Sequence, residues 1–321
     1  MAGVRLLGVT LLAATLLAAT LLGCGDGGGS TPASVAPEAV VAEERVLVDP
    51  TRGTPAKPGF DGASDRTIVT RVWYAPEAPR NDVCRRTGCA LVVLAHGFGG
   101  STMRFDVYAR ALARLGYVVA APRFPLTTEA APGGHLSGIG DLASQPGDVS
   151  FVIDALAAAA RDPADPLHGR VDTDRVGLMG HSLGGATAIA ATRLGCCSDP
   201  RIDAVILVAA ADFIVEGFFA DEIRAAGPPT LSLTGGRDGV VPSTSVRALH
   251  DRLDPPRVYV QLAGANHVDL IETYGEPGPP LLASEEISVA FLGTYLARDG
   301  GALVPALEAL AEQGEDVAAD L

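Results

Sequence analysis

The chain has 321 residues, 48% of them hydrophobic, and 24 Lys and Arg residues against 38 Asp and Glu give it a formal net charge of −14. This acidity argues against a basic groove for nucleic acid. Without the N-terminal segment described next, about 260–280 residues remain, and this length suits one large α/β domain better than two.

The first predicted element is a signal peptide. Arg5 precedes an apolar run over residues 6–22, which is short for a membrane span and is followed by small residues. Leu21-Leu22-Gly23-Cys24 resembles a bacterial lipobox, in which the chain is cut before a cysteine that is then diacylated. We therefore expect removal of residues 1–23 and a lipid anchor on Cys24 that holds an exported protein at the bacterial cell envelope. An ordinary signal peptide with secretion of a soluble protein is the alternative.

A flexible tether is expected to follow over residues 24–42, which are rich in Gly, Ser, Thr, Pro and Ala and show no apolar periodicity. Residues 43–300 then form the predicted catalytic domain, and residues 301–321 a C-terminal helix with a frayed acidic tail.

Within that domain, apolar runs alternate with helical patterns, which predicts a mostly parallel sheet flanked by helices. Strands are expected at residues 45–48, 67–73, 91–95, 118–121, 176–179, 204–209, 230–234 and 258–262. Helices are expected at residues 101–115, 149–160, 218–226, 244–253, 285–296 and 303–311, with one more directly after residue 182.

The motif Gly180-His181-Ser182-Leu183-Gly184-Gly185 lies between an apolar strand and an Ala-rich helix, the setting of a nucleophile elbow. Glycines on either side of the serine permit the close backbone approach of such a turn. The pattern favours Ser182 as a nucleophile over an ordinary tight turn. The N–H of Leu183, at the start of the helix, would then face a developing oxyanion.

An acid and a base follow in the order that such a serine requires. Asp238 lies in a Gly-rich turn after the 230–234 strand, and His267 follows the 258–262 strand. A serine hydroxyl is a weak nucleophile, so an imidazole must accept its proton and a carboxylate must orient the imidazole. We therefore predict His267 as the general base and Asp238 as the acid. Asp212, after the 204–209 strand, is the rival acid.

The second oxyanion donor is predicted upstream. Residues 90–95 form an apolar strand that ends in His96-Gly97-Phe98-Gly99-Gly100, where the N–H of Phe98 would complete the hole with that of Leu183. His96 is interpreted as a structural residue at the strand end. His181, inside the elbow, fits the base role less well than His267 does.

Four cysteines remain after Cys24, and export makes disulfides plausible. Three pairings of these cysteines are possible, and the sequence does not choose among them. Metal binding is disfavoured because no His or carboxylate cluster accompanies either pair of neighbouring cysteines. The four residues are Cys84, Cys89, Cys196 and Cys197.

These motifs together resemble an α/β hydrolase over about residues 43–298. Residues 66–74, 95–100 and 180–185 are similar to the lid-less esterases: platelet-activating-factor acetylhydrolases, dienelactone hydrolases, chlorophyllases and bacterial cutinase-like polyesterases. The resemblance implies an α/β-hydrolase fold with no large cap domain. Leu183 departs from the Met usual in cutinase-like polyesterases, and Ser182 from the Cys usual in dienelactone hydrolases.

The predicted function is a serine carboxylic-ester hydrolase that forms an acyl-enzyme and uses no cofactor and no metal. An acyltransferase with the same triad and a non-catalytic, ligand-binding surface lipoprotein are the alternatives, and the latter would be expected to lack a triad member. Only about twenty residues separate the strands at 204–209 and 230–234, so we expect an open cleft lined by Phe98, Leu183 and Phe218 or Phe219. Such a cleft predicts short to medium acyl esters, with tolerance of bulky or polymeric alcohol portions, and we expect a monomeric enzyme.

Overall fold

A ten-stranded sheet runs through the part of the chain that this computed structural model describes, residues 40–77, 79, 81–272 and 276–321. In space the strands follow the order β1-β2-β5-β4-β6-β7-β8-β9-β10, and the short β3 pairs with β4. The strands are β1 (Val41–Asp49), β2 (Arg66–Tyr74), β3 (Cys84–Arg85), β4 (Gly88–Ala95), β5 (Val118–Arg123), β6 (Val171–His181), β7 (Ile202–Val208), β8 (Thr230–Gly235), β9 (Arg257–Leu262) and β10 (Asp316–Asp320).

The six central strands are parallel, and antiparallel strands close both edges. Strands β4 to β9 pair in parallel, whereas β1 and β2 on one side and β10 on the other run antiparallel to their neighbours. All eight residues of β4 are buried. This explains its continuous apolar run, because a central parallel strand is covered on both faces.

Helices cover the two faces of the sheet. One apolar core packs α1, α6 and α7 on the first face, and a second packs α2, α3 and α5 on the other. The helices are α1 (Asp106–Arg114), α2 (Gln145–Arg161), α3 (Leu183–Arg193), α4 (Val215–Phe218), α5 (Ser243–Arg252), α6 (Pro279–Leu292) and α7 (Leu303–Glu312), and a π-helical turn, Gly293–Ala297, extends α6.

The expected fold class is confirmed, with three corrections. The acidic tail is not frayed: Asp316–Asp320 forms β10 and pairs with β9. The strand β1 begins at Val41, two residues inside the expected tether. The helix expected at residues 218–226 is absent from the described chain, and a 3₁₀ turn, Asp212–Ile214, followed by α4 lies earlier instead.

That last segment is held by side chains rather than by helical hydrogen bonds. The Asp221 carboxylate accepts a hydrogen bond from the Cys196 N–H, and the Arg224 guanidinium donates to the carbonyl of Arg193 at the end of α3. Phe218 and Phe219 are partly buried against the α2–α3 face. Between β7 and β8 the chain therefore has only turns and the four-residue α4, and within the described residues no helical cap covers this edge of the sheet.

Two disulfides join neighbouring cysteines, Cys84 to Cys89 and Cys196 to Cys197. In the described residues, no helix is both long and apolar enough to cross a membrane. The segment that contains Cys24 lies outside the described residues.

Candidate active site

Four loops at one edge of the sheet hold the residues that the sequence singled out. The parallel strands β4, β6, β8 and β9 end at Ala95, His181, Gly235 and Leu262, and Phe98, Ser182, Asp238 and His267 follow them. Because the carboxyl ends of parallel strands share one edge, these loops meet at that edge of the sheet. Ligand sites of open α/β sheets lie in the same place.

Ser182 adopts the strained backbone of a nucleophile elbow. Its φ of 55° and ψ of −116° are unusual for a residue with a side chain. Such a conformation costs about 1–3 kcal/mol and persists only where the surroundings hold it. They do so here: the Ser182 N–H donates to the carbonyl of Val208, and its own carbonyl accepts from the N–H groups of Gly185, Ala186 and Ala211.

The glycines of the elbow are required by close packing. A Cβ on Gly180 would lie 2.1 Å from the carbonyl oxygen of Gly184, and a Cβ on Gly184 would lie 2.0 Å from that of Ala95. A Cβ on Gly185 would meet that of Ala210 at 2.5 Å. Helix α3 therefore begins directly against β4 and the loop after β7, which fixes the N–H of Leu183 beside the nucleophile.

Asp238 and His267 form a hydrogen-bonded pair. The Nδ1 of His267 lies 2.7 Å from Oδ2 of Asp238, whose side chain is fully buried. The other carboxylate oxygen accepts hydrogen bonds from the N–H groups of Val240 and Val241, both at 2.8 Å. With both oxygens engaged, the carboxylate presents one fixed acceptor to the imidazole. The ring then carries its proton on Nδ1 and leaves Nε2 to accept another.

The rival acid, Asp212, points elsewhere. Its carboxylate accepts a hydrogen bond from the Ser245 hydroxyl at 2.8 Å and lies 3.4 Å from the guanidinium of Arg252. It ties the segment after β7 to helix α5. The structure thus brings Asp238, and not Asp212, to His267.

The loop that carries Asp238, residues 236–242 (the acid loop), and the loop that carries His267, residues 263–268 (the base loop), are also joined through their backbones. The N–H of Gly236 donates to Leu262, and that of Arg237 donates to Ala265, both at 2.9 Å. Asn266 closes the base loop by accepting the N–H of Val268 at 3.0 Å. These bonds hold the turn that carries the imidazole against the turn that carries the carboxylate.

The peptide from Gly97 to Phe98 is fixed by His96. The Nε2 of His96 accepts the N–H of Phe124 at 3.1 Å, so the ring proton is on Nδ1, which donates to the carbonyl of Gly97 at 2.8 Å. The N–H of Gly100 donates to the same carbonyl at 3.0 Å. In a trans peptide the C=O and the next N–H point in opposite directions, so these bonds set the direction of the Phe98 N–H.

The N–H groups of Phe98 and Leu183 form no hydrogen bond within the part of the chain that the structure describes. A Cβ on Gly97 would lie 3.2 Å from that of Ser182, so this loop packs directly against the nucleophile. Two backbone donors without an acceptor beside a partly exposed serine are the arrangement that stabilises an oxyanion.

Two buried histidines of the site are neutral. Burial lowers the pKa of His96 to about 4 and, with a contribution from the neighbouring His267, that of His181 to about 3. His181 donates from Nε2 to the carbonyl oxygen of His267 at 2.8 Å. Sequence reasoning missed both of these backbone contacts. The HG and GHS motifs marked the residues but not their partners.

No hydrogen bond joins the Ser182 hydroxyl to the His267 ring among the described residues. Such bonds are often long before substrate binds and tighten in the complex. Here the elbow and the base loop are connected by the bond from His181 to the backbone of His267.

The loop after β5 forms one wall of the site. The N–H of Gly99 donates to the carbonyl of Thr127, and the ring of His135 packs edge-on against that of Phe98 at a centroid distance of 5.1 Å. Several large apolar side chains on the loops of this edge are exposed to solvent: Phe98, Met103, Leu136, Ile139, Phe213 and Val240. The described residues contain no group of three or more His, Cys, Asp or Glu side chains arranged to hold a metal ion.

Comparisons with known proteins agree with this architecture. A model of the alpha/beta hydrolase family matches residues 92–318, which include every candidate site residue of the domain. The solved structure of a ferulic acid esterase from Streptomyces cinnamoneus is similar, with a TM-score of 0.59 and 22% sequence identity. The match covers 82% of this chain and 92% of that one, and at this identity it shows a shared fold.

Proposed function

The chain belongs to the alpha/beta hydrolase family, and we propose that it is a serine carboxylic-ester hydrolase whose catalytic triad is Ser182, His267 and Asp238. The observation that carries this proposal is the 2.7 Å hydrogen bond from His267 to a buried, fully engaged Asp238 carboxylate, beside a strained serine at the end of β6. This combination serves acyl transfer, in which a positioned imidazole activates a serine hydroxyl.

In the proposed reaction the Ser182 Oγ attacks the ester carbonyl carbon while Nε2 of His267 accepts the hydroxyl proton. The oxyanion accepts hydrogen bonds from the N–H groups of Phe98 and Leu183. Collapse of the tetrahedral intermediate breaks the bond to the alcohol, which takes the proton from His267. Water then attacks the acyl-enzyme with His267 again as base, and the carboxylic acid leaves as Ser182 regains its proton. Asp238 stays ionised and orients the imidazole throughout.

The open edge of the sheet supports a substrate with a short to medium acyl group and a bulky or polymeric alcohol portion. The described loop between β7 and β8 carries no cap, so a long acyl chain gains little of the roughly 0.8 kcal/mol available per buried methylene. Exposed apolar side chains around the site, such as Met103, Leu136 and Val240, offer contacts to a substrate too large to be enclosed. The aromatic rings of Phe98 and His135 also offer a surface on which an aryl group of the substrate can pack. Because the similar solved structure is a ferulic acid esterase, ethyl ferulate belongs in the substrate panel.

The test compares wild-type protein, Ser182→Ala and the surface control Ser64→Ala on p-nitrophenyl esters from acetate to palmitate, on ethyl ferulate and on a soft polyester film. We expect Ser182→Ala to lower kcat by roughly 10³–10⁶ with an unchanged unfolding temperature, and Ser64→Ala to behave as wild type. We expect the highest kcat/KM on short to medium esters. Normal turnover by Ser182→Ala would refute the proposal, and a strong preference for palmitate with activation at an emulsion surface would refute the open cleft.

We also propose that the enzyme is exported and lipid-anchored through Cys24. This rests on the sequence Leu21-Leu22-Gly23-Cys24 alone. Mass spectrometry of the mature N-terminus tests it, since cleavage elsewhere or an unmodified Cys24 rules the anchor out.

A further inference from the structure

His181 joins the nucleophile to the loop of the general base. It is the last residue of β6 and directly precedes Ser182, and only 5% of its surface is exposed. Its Nε2 lies 2.8 Å from the backbone carbonyl oxygen of His267, and the two imidazole rings are 4.7 Å apart between centroids.

The direction of this hydrogen bond is fixed. A carbonyl oxygen can only accept, so Nε2 of His181 carries the proton and donates it. Burial keeps the ring neutral, so Nδ1 is unprotonated. That nitrogen faces Gly97, where an added Cβ would lie 3.1 Å away. The ring is thus enclosed between the loop that carries Gly97 and Phe98 and the base loop, and its one N–H donor is bonded to the base loop.

The contact from His181 differs from the other contacts that hold His267 in the part of the molecule to which it connects the base loop. The acid loop holds the base loop through Gly236, Arg237 and the Asp238 carboxylate. Those bonds fix His267 relative to β8, but none reaches the nucleophile. Within the described chain, the bond from His181 is the hydrogen bond that connects the elbow with the base loop.

We propose that His181 is a positioning residue. It holds the backbone of His267 in the position from which the His267 imidazole can reach the Ser182 hydroxyl. The inference rests on the proposed function, since it assigns His267 the role of base. The short, planar side chain has only two rotatable bonds, and it is attached one residue from the nucleophile. The distance between nucleophile and base is therefore set by a nearly rigid link. A misplacement of about 1 Å at such a site costs on the order of 100-fold in rate.

The experiment uses His181→Phe, which keeps a planar ring but removes the donor, and His181→Gln, which restores an N–H donor on a more flexible side chain. His250→Phe is the matched control, because His250 is also buried and neutral but lies in α5, and its ring contacts Tyr259 rather than the site. Steady-state kcat and KM, thermal unfolding and the rate of Ser182 modification by phenylmethylsulfonyl fluoride are measured for each, well below the unfolding temperature.

We expect His181→Phe to lower kcat 10- to 100-fold and the modification rate by a similar factor, with KM within about twofold of wild type. His181→Gln should recover part of both rates, and His250→Phe should leave them unchanged. Wild-type kcat in His181→Phe overturns the inference, as does a lowered unfolding temperature with unchanged kcat, which shows a merely structural role. If His181→Phe does not fold, a wild-type modification rate with lowered kcat in His181→Gln overturns it. The proposed function fails separately, if Ser182→Ala stays active.

Discussion

Asp238 and Asp212 are two carboxylates at the same sheet edge with different partners. Both follow parallel strands, and the sequence offers no decisive signal between them. The structure directs Asp238 to the imidazole of His267 and Asp212 to Ser245 and Arg252. Side-chain direction, which depends on the turn after each strand, therefore separates a candidate catalytic acid from a carboxylate that links two segments.

We expect Asp238→Asn to lower kcat by about 10³–10⁴, because the amide no longer fixes the tautomer of His267 or stabilises its charged form. Asp212→Asn should retain kcat within a few-fold, although the loss of charge near Arg252 lowers the unfolding temperature slightly. Kinetic constants and thermal melts of both variants provide the measurement. Loss of activity in Asp212→Asn alone would assign the acid to the other strand.

At the scale of the element, the start of helix α3 depends on a glycine. A Cβ at position 184 would lie 2.0 Å from the carbonyl oxygen of Ala95, too close for any real contact, so the helix start must move away from β4. We expect Gly184→Ala to cost about 2 kcal/mol or more in the free energy of unfolding and to lower kcat at least tenfold, since the Leu183 N–H moves with the helix. Gly217→Ala, where the added Cβ meets no atom within 4 Å, is the control. Denaturant unfolding and kcat of both variants test this, and equal stability of the two would contradict it.

The elements that could be predicted from the sequence are those whose burial is dictated by their own residues. The 90–95 and 204–209 runs read as strands because both faces of a central parallel strand are apolar. The sequence Asp-Val-Ala-Ala-Asp of β10 has no such signal, and its structure comes from pairing with β9. Likewise, Asp221 and Arg224 hold their segment to the end of α3, which no helical pattern reveals.

The candidate site could likewise be predicted from the sequence only in part. Ser182, His267 and Phe98 follow strong strands within recognisable motifs, so their loops had to meet at one edge. The contacts of His96 and His181 join residues through backbone carbonyls, which every residue has, and so they leave no trace in residue type. Sequence motifs therefore indicated which residues lie at the site, whereas the bonds that align them required coordinates.

At the scale of the whole molecule, buried neutral histidines make stability depend on pH. Burial lowers the pKa values of His250 and His96 to about 4 and that of His181 to about 3. In the unfolded chain each titrates near 6.5. As the pH falls below 6.5, the unfolded state therefore binds protons that the folded state excludes, and the free energy of unfolding decreases until the pH reaches the folded values.

We expect His250→Phe to remove the proton that His250 binds in the unfolded state but not in the folded state. Between pH 6 and 4.5, the slope of the unfolding free energy against pH should then fall by about 1 kcal/mol per pH unit relative to wild type. The position is suitable because the ring lies in a buried site beside Tyr259, where another aromatic ring fits. Urea denaturation at several pH values gives the two slopes. Parallel slopes would mean that His250 titrates normally in the folded protein.

The two antiparallel edge strands place the two ends of the folded domain far apart. Strands β1 and β10 lie at opposite edges, with eight spacings between neighbouring strands across the sheet, a separation on the order of 35–40 Å. Many domains bring their ends together and therefore tolerate circular permutation. In this one, a linker from Asp320 back to Val41 would have to cross the whole sheet and would need roughly a dozen extended residues at least. The same separation suits a pair of fluorophores, one attached beyond each end. Energy transfer between them would report whether both edge strands stay paired with the sheet during unfolding.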